Sequence, residues 1–295
     1  MPSLIVNADD FGLTPGVNRA IAELHDAGCL TSATLMAAGP AFDDAVALAH
    51  ARPRLAVGCH VVLTDGLPIL PAREIPSLCP DGSHFRPTLG AFIRDLMLGR
   101  LHEDEIERET TAQIRRLQSA GLTVTHVDTH KHTHLFPAIV RPIARAAHAC
   151  GVRRLRNPFE PAWSARLGGP IRSLQLRALH RLIAPFFAQL PDGEFALPHG
   201  TLGISATGQL NAVSLDRLLI ALCSFDDTPD AVFELVCHPG YNDAALDRVR
   251  TRLRAHRQTE LRALLEVIPR ALRNQPALRL ISYSELVAPE GLYAS

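Results

Sequence analysis

Short apolar runs recur along the chain, and several of them stop abruptly at polar residues. Leu4-Ile5-Val6 leads into Asn7 to Asp10, Leu55-Ala56-Val57 leads towards His60, and Val124 to Val127 leads to Asp128. Leu155 precedes Arg156 and Asn157, Phe233 to Val236 precedes His238, and Leu278 to Ile281 precedes Ser282. Apolar stretches of this length predict buried strands. Helical patterns lie between them. Thr14-Pro15 reads as an N-cap followed by proline at the first helical position, with Val17, Ile21 and Leu24 as the buried stripe behind it. A second helix is predicted from about Glu103 to Ala120, acidic at its start, with Ile106, Ile114 and Leu117 facing inward and Gly121 as its stop.

Strand, helix, strand in repetition predicts a parallel sheet. No GxGxxG follows the first strand, so an α/β fold of the (β/α) barrel type is favoured over a doubly wound open sheet. The barrel is TIM-like, with room for irregularity. Its polar strand ends would then gather at the carboxyl-terminal face, where barrel enzymes keep their chemistry. The proline-rich stretch Leu67 to Gly90 and the stretch Asn157 to Pro170 read as rim loops rather than linkers.

Composition narrows the picture. A chain of 295 residues with 47% hydrophobic and 20% charged residues suits one globular domain spanning 1–295. Lys plus Arg and Asp plus Glu each number 30, so nothing in the net charge draws the chain to nucleic acid or an anionic membrane. A small molecule or oligosaccharide is the expected partner. Six scattered cysteines without a CxxC pair read as reduced thiols, and the start MPSLIVNADD lacks the features of a signal peptide. No run reaches the ~18 apolar residues of a membrane span. The expectation is a cytoplasmic protein without stable membrane insertion, and association into a homodimer stays open.

Four stretches carry candidate chemistry. Asn7-Ala8-Asp9-Asp10-Phe11-Gly12 sets two adjacent carboxylates at the end of an apolar strand, where like charges need a cation to offset them. One Asp could bind a metal ion while its neighbour accepts a proton from water. Gly58 to Thr64 holds His60 in an apolar segment that suits a neutral imidazole ligand. His126 to Pro137 concentrates His126, His130, His132 and His134 within nine residues. Strand alternation would aim His126, Asp128 and His130 to one side, whereas a helical turn from His130 would put His130 and His134 on one face. Asp128 is a candidate for the carboxylate that fixes an imidazole tautomer. Val236 to Tyr241 ends a strand with His238 in a Pro-Gly turn, a candidate general acid. Arg257 and Glu260, on a predicted helix, read as a solvated face rather than an active-site salt link.

These four stretches (NADDFG at 7–12, GCHVVLT at 58–64, HVDTHKHTHLFP at 126–137 and CHPGY at 237–241) together resemble the YdjC-like carbohydrate deacetylases over nearly the whole chain. The resemblance implies a polysaccharide-deacetylase type of (β/α) barrel and one divalent metal ion, Zn or Mg, held by Asp10, His60 and His130. It implies Asp9 as the base that activates water and His238 as the acid. His132 and His134 match family histidines to which it attaches no separate roles. Lys131 stands where many relatives carry another histidine, and the stretch Arg156 to Trp163 matches no motif. The implied reaction is hydrolysis of an acetamide on an N-acetylated sugar, an oligosaccharide or a glycolipid head group, with release of acetate. Two rival readings remain at this point: a metal-dependent phosphoesterase, often a two-ion site, and a catalytically silent sugar-binding barrel.

Overall fold

A computed structural model describes residues 2–165, 178–224, 230–276 and 278–287. All the strands are parallel. Six of them, β1 (Ser3–Phe11), β2 (Ser32–Leu35), β3 (Ala56–Val61), β4 (Val127–Thr129), β5 (Gly200–Leu202) and β6 (Val232–Cys237), lie in the order β4-β3-β2-β1-β6-β5. The two-residue β7 (Arg279–Leu280) pairs with the start of β1. Single bridges from Val127 to Leu155 and from Arg154 to Ala196 carry the hydrogen bonding between the two edges. The result is an irregular barrel of the expected (β/α) type.

Helices cover its outside: α1 (Pro15–Asp26), α2 (Phe42–His50), α3 (Leu89–Met97), α4 (Glu103–Ser119), α5 (Pro137–Ala149), α6 (Ala162–Ala165), α7 (Ile183–Phe187), α8 (Ala212–Cys223), α9 (Ala244–Asp247) and α10 (Arg254–Asn274). The predicted helix starts and stops have visible causes. Thr14 accepts a bond from the Val17 amide at the head of α1, and Gly121, at φ +81°, follows the end of α4. Val17, Ile21 and Leu24 are fully buried, as their spacing predicts.

Strand alternation divides the barrel into two environments. Leu4, Val6 and Ala8 of β1, Val57, Cys59 and Val61 of β3, and Phe233, Leu235 and Cys237 of β6 belong to the apolar core beneath the helices. The alternate positions face into the barrel. At the amino-terminal end, Ile5, Ala56, Ala196, Ile281, Tyr283 and Leu286 form a small apolar plug. Above it the interior is polar, lined by Asn7, Asp9, Thr34, His60, His126, Asp128, Arg156, Thr201 and Glu234, all buried. Barrels of this class usually fill that space with branched aliphatic side chains. Gly58 is needed there for room, since a Cβ at that position would lie 2.5 Å from the His126 ring.

Some expected elements shift. The run at Val124 to Val127 becomes a strand only at Val127–Thr129, Leu155 contributes one bridge, and the run at Leu278 to Ile281 pairs over two residues. The rim stretch after β3 ends earlier than expected, because Thr88 caps α3 through the Ala91 amide. Of the other rim stretch, residues 166–170 lie outside the described residues. All six cysteines are unpaired, and no helix among the described residues is long and apolar enough to cross a membrane.

Candidate metal centre

The four motif stretches meet at the carboxyl-terminal ends of β1, β3, β4 and β6. In a regular strand Asp9 and Asp10 would point to opposite faces. Asp10 instead adopts φ 64°, and the β1–β2 register slips between Ala8 and Phe11, which brings the Asp10 carboxylate round to the barrel mouth. Asp tolerates this left-handed conformation better than most residues. Among the described residues the four non-glycine residues of positive φ are Asp10, Asp65, Lys131 and His132, and all lie on these strand ends or the loops leaving them. Such residues store of order 1–3 kcal/mol each and collect at functional sites.

Asp10, His60 and His130 converge. Asp10 Oδ1 lies 3.6 Å from His60 Nε2 and 3.5 Å from His130 Nδ1, and the two imidazole nitrogens are 3.4 Å apart. A tetrahedral ion with ligands about 2.0–2.1 Å away keeps its donor atoms roughly 3.4 Å from one another, so the triangle has the size one ion requires. His60 has its outward nitrogen fixed, because Nδ1–H donates to Asp128 Oδ1 at 2.8 Å. That bond presents Nε2 as a ligand lone pair, the arrangement common behind metal-bound histidines. Parallel pairing of His60 with Asp128 across β3 and β4 makes it possible. Burial opposes charging of His60, but Asp128, Asp9 and Asp10 outweigh it and push the imidazole up to about 9. Three carboxylates around one imidazole want a positive charge, and a metal ion competes with that proton.

Asp9 sits in a different environment. The fully buried Arg156 reaches it with both terminal nitrogens, Nη1 to Oδ2 at 3.0 Å and Nη2 to Oδ1 at 2.7 Å. The same guanidinium lies 2.6 Å from Asp128 Oδ2 and 2.6 Å from Glu234 Oε1. Burial raises the Asp9 pKa, but the Arg156 charge more than reverses this and holds the carboxylate well below its usual range. His238 Nε2 lies 3.8 Å from Asp9 Oδ2, and the His238 backbone N–H donates to Glu260 Oε2 at 2.6 Å.

The solvated-face expectation for α10 is incorrect. Arg257 and Glu260 are each 1% exposed. Arg257 ion-pairs with Asp10 Oδ2, the oxygen turned away from the triangle, and Glu260 anchors the His238 turn. A helix packed over a polar barrel mouth buries charges that face partners, so amphipathic spacing alone could not reveal them. Arg156 and Glu234 were likewise without an assigned task. The signal for Glu234 was present, a carboxylate inside the apolar run Phe233 to Val236, where a buried charge demands a partner.

Alternation does bring His126, Asp128 and His130 to the barrel interior. His126 donates from Nε2 to Asn7 Oδ1 at 3.2 Å and stacks on Tyr283 with ring centroids 3.6 Å apart. It lies below the triangle as a structural residue. The shared face of His130 and His134 does not form, because Lys131 and His132 take left-handed conformations. His134 turns away, donating to the Arg156 carbonyl at 3.2 Å and lying 2.6 Å from the Thr129 hydroxyl. Lys131 pairs with Asp65 at 2.7 Å on the loop after β3. A cavity of about 940 Å³ lies elsewhere, between α7 and the outer side of β6, and none of the converging residues lines it.

A family model for YdjC-like proteins matches residues 3–274. The chain belongs to this family. A carbohydrate deacetylase of Brevibacillus brevis is 34% identical over 96% of this chain and 99% of its own length. One of Geobacillus stearothermophilus is 34% identical over 95% and 96%, and one of Vibrio parahaemolyticus 30% over 97% and 96%. Among solved structures, an Enterococcus faecalis V583 protein whose name ties it to cellobiose-phosphate cleavage superposes with a TM-score of 0.76, covering 96% of this chain and 97% of that one. At 24% identity that likeness concerns the fold. YdjC-like membership and the barrel thus agree with the resemblance drawn from the four motifs.

Proposed function

We propose that the chain is a one-ion carbohydrate N-deacetylase that removes acetyl groups from N-acetylated sugars. The observation that carries this reading is the Asp10–His60–His130 triangle beside an ionised Asp9, in a chain that matches carbohydrate deacetylases along nearly its whole length. The donor set of one carboxylate and two imidazoles suits Zn and also accepts Mg, Mn or Co. A divalent ion held there supplies Lewis acidity and a water of lowered pKa.

The chain's own residues supply the rest. Arg156 keeps Asp9 ionised and therefore able to receive the proton of the attacking water. Asp128 holds His60 in one tautomer and orientation, and Arg257 holds Asp10 by the oxygen that the triangle does not use. His238, buttressed by Glu260 and 3.8 Å from Asp9, protonates the departing amine so that the carbon–nitrogen bond breaks and acetate leaves.

The phosphoesterase reading would call for a second ion about 3.5–4 Å from the first. The other converging group, Asp9, His60 and Asp128, is the natural place for it, and there the Arg156 guanidinium already bonds both carboxylates. A silent binding barrel has no use for a clamped, ionised Asp9 facing His238. Acetate release from N-acetylated chito-oligosaccharides by the metal-loaded protein tests the proposal. Phosphate release from phosphomonoesters without any acetate would overturn it.

A further inference from the structure

His132 is the one histidine of the 126–134 run that the site leaves without a hydrogen-bond partner. His126 bonds to Asn7, His130 faces Asp10 and His60, and His134 is fixed between Thr129 and the Arg156 carbonyl. The His132 Nδ1 is sealed from solvent with no hydrogen-bond partner, and no described group bonds to its Nε2. The ring is half-buried, so its open edge is the one that carries Nε2. His132 belongs to neither group of converging ligand atoms, so it is not placed to hold the ion. It is nevertheless within electrostatic reach of Asp9, Arg156, His238 and His60. Two consecutive left-handed residues, Lys131 and His132 at φ 57° and 52°, hold the ring there. A polar ring held at a site without a protein partner is matched by a ligand that supplies one.

We infer that His132 is a substrate-contacting residue, its Nε2 hydrogen-bonding an uncharged polar group of the N-acetylated sugar, a hydroxyl or the acetamide, beside Asp9 and His238. The inference rests on the deacetylase reading and adds the residue that seats the sugar. The chemistry it recognises is a neutral hydrogen-bonding group, since the Arg156 cation and the Asp9 anion are both within electrostatic reach of the ring and act on it in opposite senses. His134, two residues on, is a support residue by the same reasoning, because both of its nitrogens are occupied.

The test compares His132→Phe, which keeps the ring shape without nitrogen, with His132→Gln, which keeps a polar group near the Nε2 position. Each full-length, metal-loaded variant is assayed for divalent-ion affinity by calorimetry and for kcat and KM of acetate release from an N-acetylated chito-oligosaccharide. The expected result is unchanged ion affinity in both, a KM raised about tenfold or more in His132→Phe with a smaller effect on kcat, and substantial recovery of KM in His132→Gln. Should His132→Phe fail to fold, His132→Ala takes its place under the same criteria. A KM within twofold of the unsubstituted protein in the apolar variant overturns the contact, as does loss of ion binding. No acetate from the unsubstituted protein overturns the deacetylase reading itself, and the contact with it.

Discussion

Two clusters of carboxylate and imidazole share His60, and they differ in where their positive charge comes from. On one side Asp9 and Asp128 are joined by the Arg156 guanidinium, which also bonds Glu234, so a cation of the protein's own already occupies the space between them. On the other side Asp10, His60 and His130 present three donor atoms 3.4–3.6 Å apart, and the Arg257 cation is kept on the far oxygen of Asp10. A group of acidic and histidine side chains is therefore not a metal site by composition. It becomes a candidate for one where the fold withholds its own cations from the donor atoms. The same geometry separates the two neighbouring aspartates: in the proposed reading Asp10 is the ligand, and Asp9, held by Arg156, is the proton acceptor.

The comparison breaks first if the triangle is dispensable. Asp10→Asn or His130→Ala should remove stoichiometric ion binding and cost several kcal/mol of barrier, about a thousandfold in acetate release at 1.36 kcal/mol per decade. Activity within tenfold in either variant would contradict the ligand assignment. On the filled side the effect should fall on stability. Arg156→Met leaves Asp9, Asp128 and Glu234 buried without their cation, an expected loss of about 3–5 kcal/mol in urea unfolding. A loss below about 1 kcal/mol would mean the network is not what balances those charges.

The shared residue gives a finer test. Asp128→Asn removes the carboxylate behind His60 and should weaken ion affinity by about 10–100-fold in calorimetric titration without abolishing it. Unchanged affinity would place Asp128 wholly on the Arg156 side.

Smallest is the effect below both clusters. Burial first, and then the Arg156 charge, hold His126 well below the usual histidine pKa, whereas in the unfolded chain it titrates near 6.5. Below that pH the unfolded state binds a proton that the folded state does not, so stability falls as the pH drops, by about 1.4 kcal/mol per unit for this group. His126→Gln should flatten the loss of stability between pH 6.5 and 5 by about that slope. An unchanged slope would show that His126 is not the group responsible.

The candidate site was legible where an apolar run ends in a carboxylate or an imidazole. Asp9, Asp10, His60, His130 and His238 each follow or close such a run, and parallel strands bring run ends together. The backbone turn that lets adjacent Asp9 and Asp10 serve one mouth was not legible, because nothing in an Asp-Asp pair announces φ 64° at the second. Strands β2 and β5 escaped notice for a different reason. Their inward positions are Ser32, Thr34 and Thr201, so neither segment shows the apolar contrast of its neighbours. Arg156 and Glu234 carried no assignment, and Arg257 and Glu260 read as a solvated face, because charges inside a barrel are satisfied by partners distant in sequence, as in the 247-residue separation of Arg257 from Asp10. Once Glu234 is seen as a carboxylate within a buried strand, a buried arginine elsewhere is the natural complement.

The proposed chemistry needs one ion in one triangle. The most direct measurement strips the protein with a chelator, adds back a divalent ion in steps, and follows acetate release from an N-acetylated chito-oligosaccharide against ion equivalents. Activity that is absent in the stripped protein, rises in proportion and levels off at one equivalent per chain is the predicted result. Full activity in the stripped protein, or a plateau reached only at two equivalents, would contradict it.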